Sequence, residues 1–132
     1  DCIERGFRHF LITKQLWDDV HDWRQDTNMG HVSYVVATIM RDMHLKPGMY
    51  AKKALTDDML PVFLNKTMPK ICAVALKHTT ESKQAFVDSG LIKADSPIYK
   101  ILDDQKQPIL YTIDQHAKSR ALIKGARKIV AK

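Results

Sequence analysis

The most regular feature of this sequence is a stripe of apolar side chains between residues 31 and 44. Its members recur at the spacing i, i+3, i+4, i+7, i+8 and i+11, and they are Val32, Val35, Val36, Ile39, Met40 and Met43. Side chains at this spacing share one side of an α-helix, which must then pack against other apolar surface. We therefore predict a core-facing helix over residues 31–44 that ends at Pro47-Gly48.

Further helices are predicted on both sides of this stripe. Thr13 is interpreted as an N-cap, because a threonine hydroxyl can accept a hydrogen bond from the first turn of a helix. Pro69 is interpreted as the first residue of another helix, a position at which proline is tolerated. Thr79 or Thr80 is expected to cap the next one. The predicted helices span residues 3–12, 14–26, 69–78 and 80–89, and a last helix runs from Asp114 to the C-terminus.

Residues 98–113 have a different character. The stretches 98–102 and 109–113 are rich in β-branched and aromatic residues, and the residues between them are polar and end in Pro108. This pattern favours two strands joined by a loop. The expected fold class is therefore mainly α: a compact helical domain with one C-terminal β-hairpin and a final basic amphipathic helix.

The length of 132 residues corresponds to one domain with a core of its own. A composition of 45% hydrophobic and 27% charged residues excludes a disordered polymer. Two cysteines cannot support a disulfide framework, and no apolar run approaches the roughly 18 residues of a membrane span. Because the chain begins with Asp1-Cys2 rather than methionine, we expect residues 1–132 to be a single domain excised from a larger protein, or a processed product. The expected location is intracellular, cytoplasmic or nuclear.

The net charge of +6 is confined to one end of the chain. Residues 1–114 hold fifteen basic and fifteen acidic side chains, whereas residues 115–132 hold no acid. The six cations of this C-terminal segment are Lys118, Arg120, Lys124, Arg127, Lys128 and Lys132. On a helix all of them except Lys118 lie opposite an apolar arc that includes Leu122 and Ile123. We expect the apolar arc to dock on the domain while the cations contact phosphates.

The predicted order of helix 69–78, helix 80–89 and hairpin 98–113 resembles a winged helix-turn-helix, in which the second helix enters the major groove of DNA and the hairpin flanks it. The resemblance implies that helix 80–89 reads the nucleic acid. Two acidic residues at the predicted hairpin tip depart from the pattern, because a wing that contacts DNA favours cations. The candidate contact residues of the reading helix are Ser82, Lys83 and Gln84.

The sequence thus predicts a nucleic-acid-binding domain that contacts DNA or RNA through its basic C-terminal helix. The alternative is a protein-interaction or assembly module of a larger protein. In that alternative a helix-binding groove would include Trp17 and the methionines, which are Met29, Met40, Met43, Met49, Met59 and Met68. The two hypotheses differ in their response to salt, because phosphate binding weakens as salt rises.

One segment offers candidate metal ligands. Asp18, His21 and Asp22 share a side of the predicted helix 14–26, and carboxylate with imidazole suits a divalent metal. His21-Asp22 resembles the paired His-Asp of HD-type metal-dependent phosphohydrolases, whose remaining ligands would have to come from residues such as His9 and Asp57. A polar outer helix face explains the segment as well. We assign no catalytic residue, no metal ligand and no cofactor, and we favour a protein that is not an enzyme.

Overall fold

The computed structural model describes residues 1–46 and 55–130. Every regular element within these ranges is helical, and none is a β-strand. The elements are α1 (Cys2–Met29), α2 (Tyr34–Asp42), α3 (Leu55–Val62), a π-helical segment (Phe63–Thr67), α4 (Met68–Asp88) and α5 (Pro97–Val130). Trp23, Val36, Phe63, Ile71 and Ile109 are among the buried side chains at the centre of the core.

The stripe that predicted a helix over 31–44 contributes to the core through the shorter helix α2. Ser33 precedes this helix as its N-cap, and the Ser33 hydroxyl accepts a hydrogen bond from the Val36 amide at 3.4 Å. Val35 and Ile39 are fully buried, whereas Val32 lies outside the helix and is exposed. The predicted stop at Pro47-Gly48 lies outside the described residues.

Helix α1 is continuous where two helices were predicted. Thr13 does not cap a second helix, because its hydroxyl donates to the His9 carbonyl at 3.2 Å within the same helix. This bond to the fourth residue back lets a threonine sit inside a helix. The helix ends at Gly30, whose φ of 72° lies in the left-handed region that favours glycine.

Helix α4 is also continuous, and this makes the predicted helix-turn-helix wrong. The Thr79 and Thr80 hydroxyls donate to the carbonyls of Ala75 and Leu76, each at 3.0 Å and each four residues back. Neither threonine begins a new helix, so no turn separates residues 69–78 from 80–89.

The predicted β-hairpin over 98–113 is wrong as well, because these residues form the first half of α5. Leu102 and Ile109 are fully buried, and their spacing of seven residues places both on one side of a helix. Burial of that side outweighs the strand preference of β-branched residues, which is a weak and context-dependent signal. Without a hairpin the structure has no wing.

Helices α1 and α4 pack antiparallel and form the centre of the molecule. Arg5 pairs with Asp88 at 3.1 Å at one end of the contact. Nearer its middle, Thr13 Oγ1 lies 3.3 Å from the Ala75 carbonyl oxygen, which shares the one hydroxyl hydrogen with the His9 carbonyl. The helices approach closely at Gly6, where a Cβ atom would stand 2.6 Å from the Phe86 ring. A glycine is therefore required at this crossing.

The π-helical segment joins α3 to α4 through one wide turn. Its last bond runs from the Met68 amide to the Phe63 carbonyl, five residues back. The wide turn immediately precedes Pro69, which has no amide hydrogen to donate and whose ring crowds the preceding turn of a regular helix. Phe63 and Thr67 point from this segment into the core.

The Thr67 hydroxyl donates to the Asp42 carboxylate at 2.9 Å, and the Lys70 ammonium pairs with the same carboxylate. Burial raises the pKa of the Asp42 carboxyl, but the hydrogen bonds from Lys70 and Thr67 outweigh burial and hold the pKa below its usual value of 3.8. Asp42 therefore ties the end of α2 to the start of α4.

The helical run 56–88 is long and apolar enough, by length and composition alone, to cross a membrane. Its side chains Ile71, Ala75 and Phe86 are buried within the molecule. A core helix passes the same test of length and composition, so the finding is weak evidence for a span.

Candidate functional site

The end of α5 extends away from the rest of the molecule. We call residues 117–130 the tail and the described residues up to 116 the body. Every side chain from residue 117 to residue 127 is exposed. Leu122 is 75% exposed and Ile123 is 54% exposed. The prediction that the apolar arc docks on the domain is therefore wrong.

The centre of the apolar arc does not continue the stripe with which the first half of α5 packs. The stripe that packs on the body includes Leu102 and Ile109, and seven-residue steps continue it through His116. At 100° per residue the same side of the helix next presents Arg120 and Arg127. The next seven-residue step reaches Ile123, which lies about 60° from Leu102 at the edge of the stripe, whereas Ala126 and Leu122 lie about 120° and 160° away. The body-facing stripe thus becomes cationic where the body ends.

Most of the tail cations have no acidic neighbour. Lys118 pairs with Asp114 at 2.7 Å. Arg120, Lys124 and Arg127 make no ion pair with any residue that the structure describes. Lys128 lies on the same helix, and Lys132 lies outside the described residues.

The other predicted nucleic-acid contacts belong to α4 and are engaged within the body. Ser82 is fully buried, and its hydroxyl donates to the Gly6 carbonyl at 2.7 Å. The Lys83 ammonium lies 3.6 Å from an Asp103 carboxylate oxygen, and the Gln84 amide donates to Asp88 at 2.7 Å. The structure does not bring these three side chains together with the tail cations into a single patch.

The predicted groove of methionines is not formed by these side chains. Met40 and Met59 are buried in the core, and Met43, Met68 and Trp17 pack against it. Met29 is exposed, and Met49 lies outside the described residues. The methionines fill the interior, which suits their flexible and apolar side chains.

The segment around His21 does not assemble a metal site. The His21 ring stacks edge-on against Trp17, and its Nδ1 lies 2.7 Å from the Trp17 carbonyl oxygen. Within residues 1–46 and 55–130, Asp18, His21 and Asp22 do not form a group with metal-ligand spacing. A solvated helix face accounts for them.

A different group of side chains does converge, on the contact between α1 and α4. His9 Nδ1 lies 2.7 Å from His78 Nδ1 and 3.3 Å from Glu81 Oε2. The distance from His78 Nδ1 to the same Glu81 oxygen is 3.8 Å. We call His9, His78 and Glu81 the histidine cluster. It is the one group of three or more potential metal ligands among the described residues.

The histidine cluster is partly shielded from solvent. Burial lowers the pKa of the His78 imidazole below its usual 6.5, His9 lowers it further, and Glu81 opposes both effects. Beside His78 lies a groove of about 340 Å³ that Gln15, Asp19 and Tyr34 help to line. Two imidazoles and a carboxylate at these distances can share one proton or one cation.

Cys72 is a second buried group with potential reactivity. Its thiol lies in the core, and burial raises its pKa to about 11. A thiol that stays protonated is a poor nucleophile and a poor metal ligand. Both Cys72 and Cys2 are free in the structure.

Comparison with protein families, with curated proteins and with solved structures finds no match to this chain. Any functional argument therefore depends on the tail and the histidine cluster themselves.

Proposed function

We propose that this protein is an interaction module that binds an acidic, amphipathic helical partner through its tail. The observation that carries the proposal is that the tail presents both an uncovered apolar arc and cations without acidic neighbours. The apolar side of such a helix can pack against apolar surface of a partner. Its cationic side favours a partner that carries negative charge.

The apolar arc supplies the affinity. Leu122 and Ile123 are mostly exposed, so a partner that covers them removes that surface from water. Full burial of one such side chain contributes about 1.5–3 kcal/mol. Ala126 adds a small side chain between them on the helix surface, where it allows close approach.

The charge of the tail selects the partner. No acid occurs from residue 115 onward, so two tails placed side by side would repel each other. A second copy of this chain is therefore a poor match for the tail. A helix with acidic residues beside its own apolar stripe is complementary to the tail in charge and in apolar surface.

Nucleic-acid binding is the second candidate function. Arg120, Lys124 and Arg127 favour it, because exposed cations without acidic partners are available to phosphates. It ranks second because phosphate contact would leave Leu122 and Ile123 in water. The loss of the predicted winged helix also removes the element that would have read sequence.

The test compares two probes and two variants of the full chain. The probes are a synthetic acidic amphipathic helical peptide and a duplex or single-stranded oligonucleotide, each titrated at two salt concentrations. One variant replaces Leu122 and Ile123 with serine, and the other replaces Arg120, Lys124 and Arg127 with glutamate. We expect the peptide to bind wild type and to lose roughly tenfold or more in affinity with the serine variant.

The two variants separate the candidate functions. Charge reversal should weaken binding of both probes, whereas the serine variant should affect the peptide alone. Oligonucleotide binding that falls steeply with salt, together with no peptide binding, would overturn the interaction proposal in favour of the second candidate. Binding of vesicles of anionic lipid in place of the peptide would also overturn it.

A further inference from the structure

We propose that His9, His78 and Glu81 form a zinc site on the contact between α1 and α4. The proposal is independent of the tail and of what the tail binds. It depends on two imidazole nitrogens and one carboxylate oxygen that converge from two different helices.

The ligand types match zinc chemistry. Two histidines and one glutamate, with an open fourth position, are one of the ligand sets that hold zinc in a tetrahedral arrangement. His78 and Glu81 are three residues apart on α4, so they lie on the same side of that helix. His9 completes the set from α1. A neutral imidazole is the form that coordinates a metal.

The distances require only a small adjustment. With zinc–nitrogen bonds of about 2.0–2.1 Å, two ligands of a tetrahedral site lie about 3.3 Å apart. The distances from the glutamate oxygen to the two nitrogens, 3.3 and 3.8 Å, are already close to this value. The two nitrogens themselves are 2.7 Å apart, so their side chains must separate by about 0.6 Å on binding.

Hydrogen bonds from side-chain hydroxyls to backbone carbonyls link the two helices on both sides of the histidine cluster. Ser82 is bonded to the Gly6 carbonyl on one side, and Thr13 is bonded to the Ala75 carbonyl on the other. The ligands are therefore positioned by packed helices rather than by loops, which favours a defined site. His9, His78 and Glu81 keep 19%, 22% and 40% of their side-chain surfaces exposed, so solvent can reach the fourth position.

The experiment titrates zinc into the full chain and follows binding by calorimetry. The protein is prepared without a polyhistidine tag, because a tag would compete for the metal. We expect one zinc ion per chain, a rise in Tm with zinc concentration, and a tetrahedral absorption spectrum when cobalt replaces zinc. Failure to bind zinc at micromolar concentrations would overturn the proposal.

Variants locate the metal. His9→Ala and His78→Ala should each lower zinc affinity by at least about tenfold, as should Glu81→Gln, which preserves the size of the side chain. The matched controls are His21→Ala and His31→Ala, which remove exposed imidazoles elsewhere and should leave affinity unchanged. Circular dichroism verifies that each variant is folded. Equal losses in the controls, or full affinity in folded Glu81→Gln together with folded His9→Ala, would place the metal elsewhere and overturn the proposal.

Discussion

The two halves of α5 belong to one continuous helix but have opposite environments. In the first half, Leu102 and Ile109 are completely buried against the body. In the tail, Leu122 has the same chemistry as Leu102 and is 75% exposed. Both positions lie within α5. What changes is the residue type on the body-facing side, which becomes arginine after His116.

This comparison shows that an apolar stripe has two separate properties, its composition and its direction. The apolar arc of the tail contains leucine and isoleucine, as the packed stripe of the first half does. The centre of the arc is rotated about the helix axis away from that stripe. An arc that does not face its own core is available to another molecule. The contrast between body and tail can be tested with pairs of identical substitutions.

The largest difference in the free energy of unfolding is expected between Leu102→Ala and Leu122→Ala. Both substitutions remove the same atoms from the same helix. The first should lower the free energy of unfolding by about 2–5 kcal/mol, because it leaves a cavity in the core. The second should change it by less than about 0.5 kcal/mol. Denaturant unfolding measures both, and a comparable loss at Leu122 would mean that the tail packs on the body.

A smaller effect is expected from Gly6→Ala compared with Gly125→Ala. A Cβ atom at Gly6 would collide with the Phe86 ring, so this variant should lose about 1–2 kcal/mol despite the better helix propensity of alanine. A Cβ atom at Gly125 meets nothing within 4 Å. That variant should leave the unfolding free energy within about 0.5 kcal/mol and increase helicity. Circular dichroism with thermal melts distinguishes the two; a neutral Gly6→Ala would contradict the close crossing.

The smallest difference in the free energy of unfolding is expected between Asp42→Asn and Asp114→Asn. Asp42 accepts hydrogen bonds from Thr67 and Lys70, and its side chain is only 10% exposed, so its loss should lower the free energy of unfolding by about 1 kcal/mol. The ion pair of Asp114 with Lys118 is exposed and should contribute less than about 0.5 kcal/mol. Unfolding at neutral pH compares the two variants directly.

The Asp42 prediction also fixes a pH dependence. The pKa of Asp42 is lower in the folded protein than in the unfolded chain, so the unfolded chain binds more protons between the two values. The contribution of Asp42 is therefore complete above its usual pKa of 3.8 and is lost as pH falls through the lowered value. The stability difference between wild type and Asp42→Asn should shrink as pH falls below 3.8 and through the lowered pKa of Asp42. A constant difference would mean that the carboxylate charge does not matter.

The sequence predicted the helical character of most of the chain, because apolar spacing is a direct record of which sides are buried. It also predicted the separation of charge that distinguishes the tail. It failed at residues 98–113, where β-branched residues were given more weight than the seven-residue spacing of Leu102 and Ile109. Local preference cannot reveal that another helix is present to bury one side.

The histidine cluster was missed because helices were ended too early. With Thr13 as one cap and Thr79 or Thr80 as another, His9 and His78 lie near the ends of short helices. In a continuous α1, His9 lies three residues after Gly6 and four residues before Thr13, so all three share one side of the helix. A continuous α4 puts His78 one turn before Glu81. That α1 and α4 pair antiparallel, which brings these residues together, is a property of the fold that spacing along one chain does not contain.

The tail is an extension of a helix that the body has already started. Forming the first turn is the unfavourable step of helix formation, and here it takes place within residues that pack on α4. Growth from that point needs only propagation, residue by residue. The tail is therefore already helical before a partner binds. Binding to it costs less conformational entropy than binding to a disordered segment, which would have to become ordered at the same time.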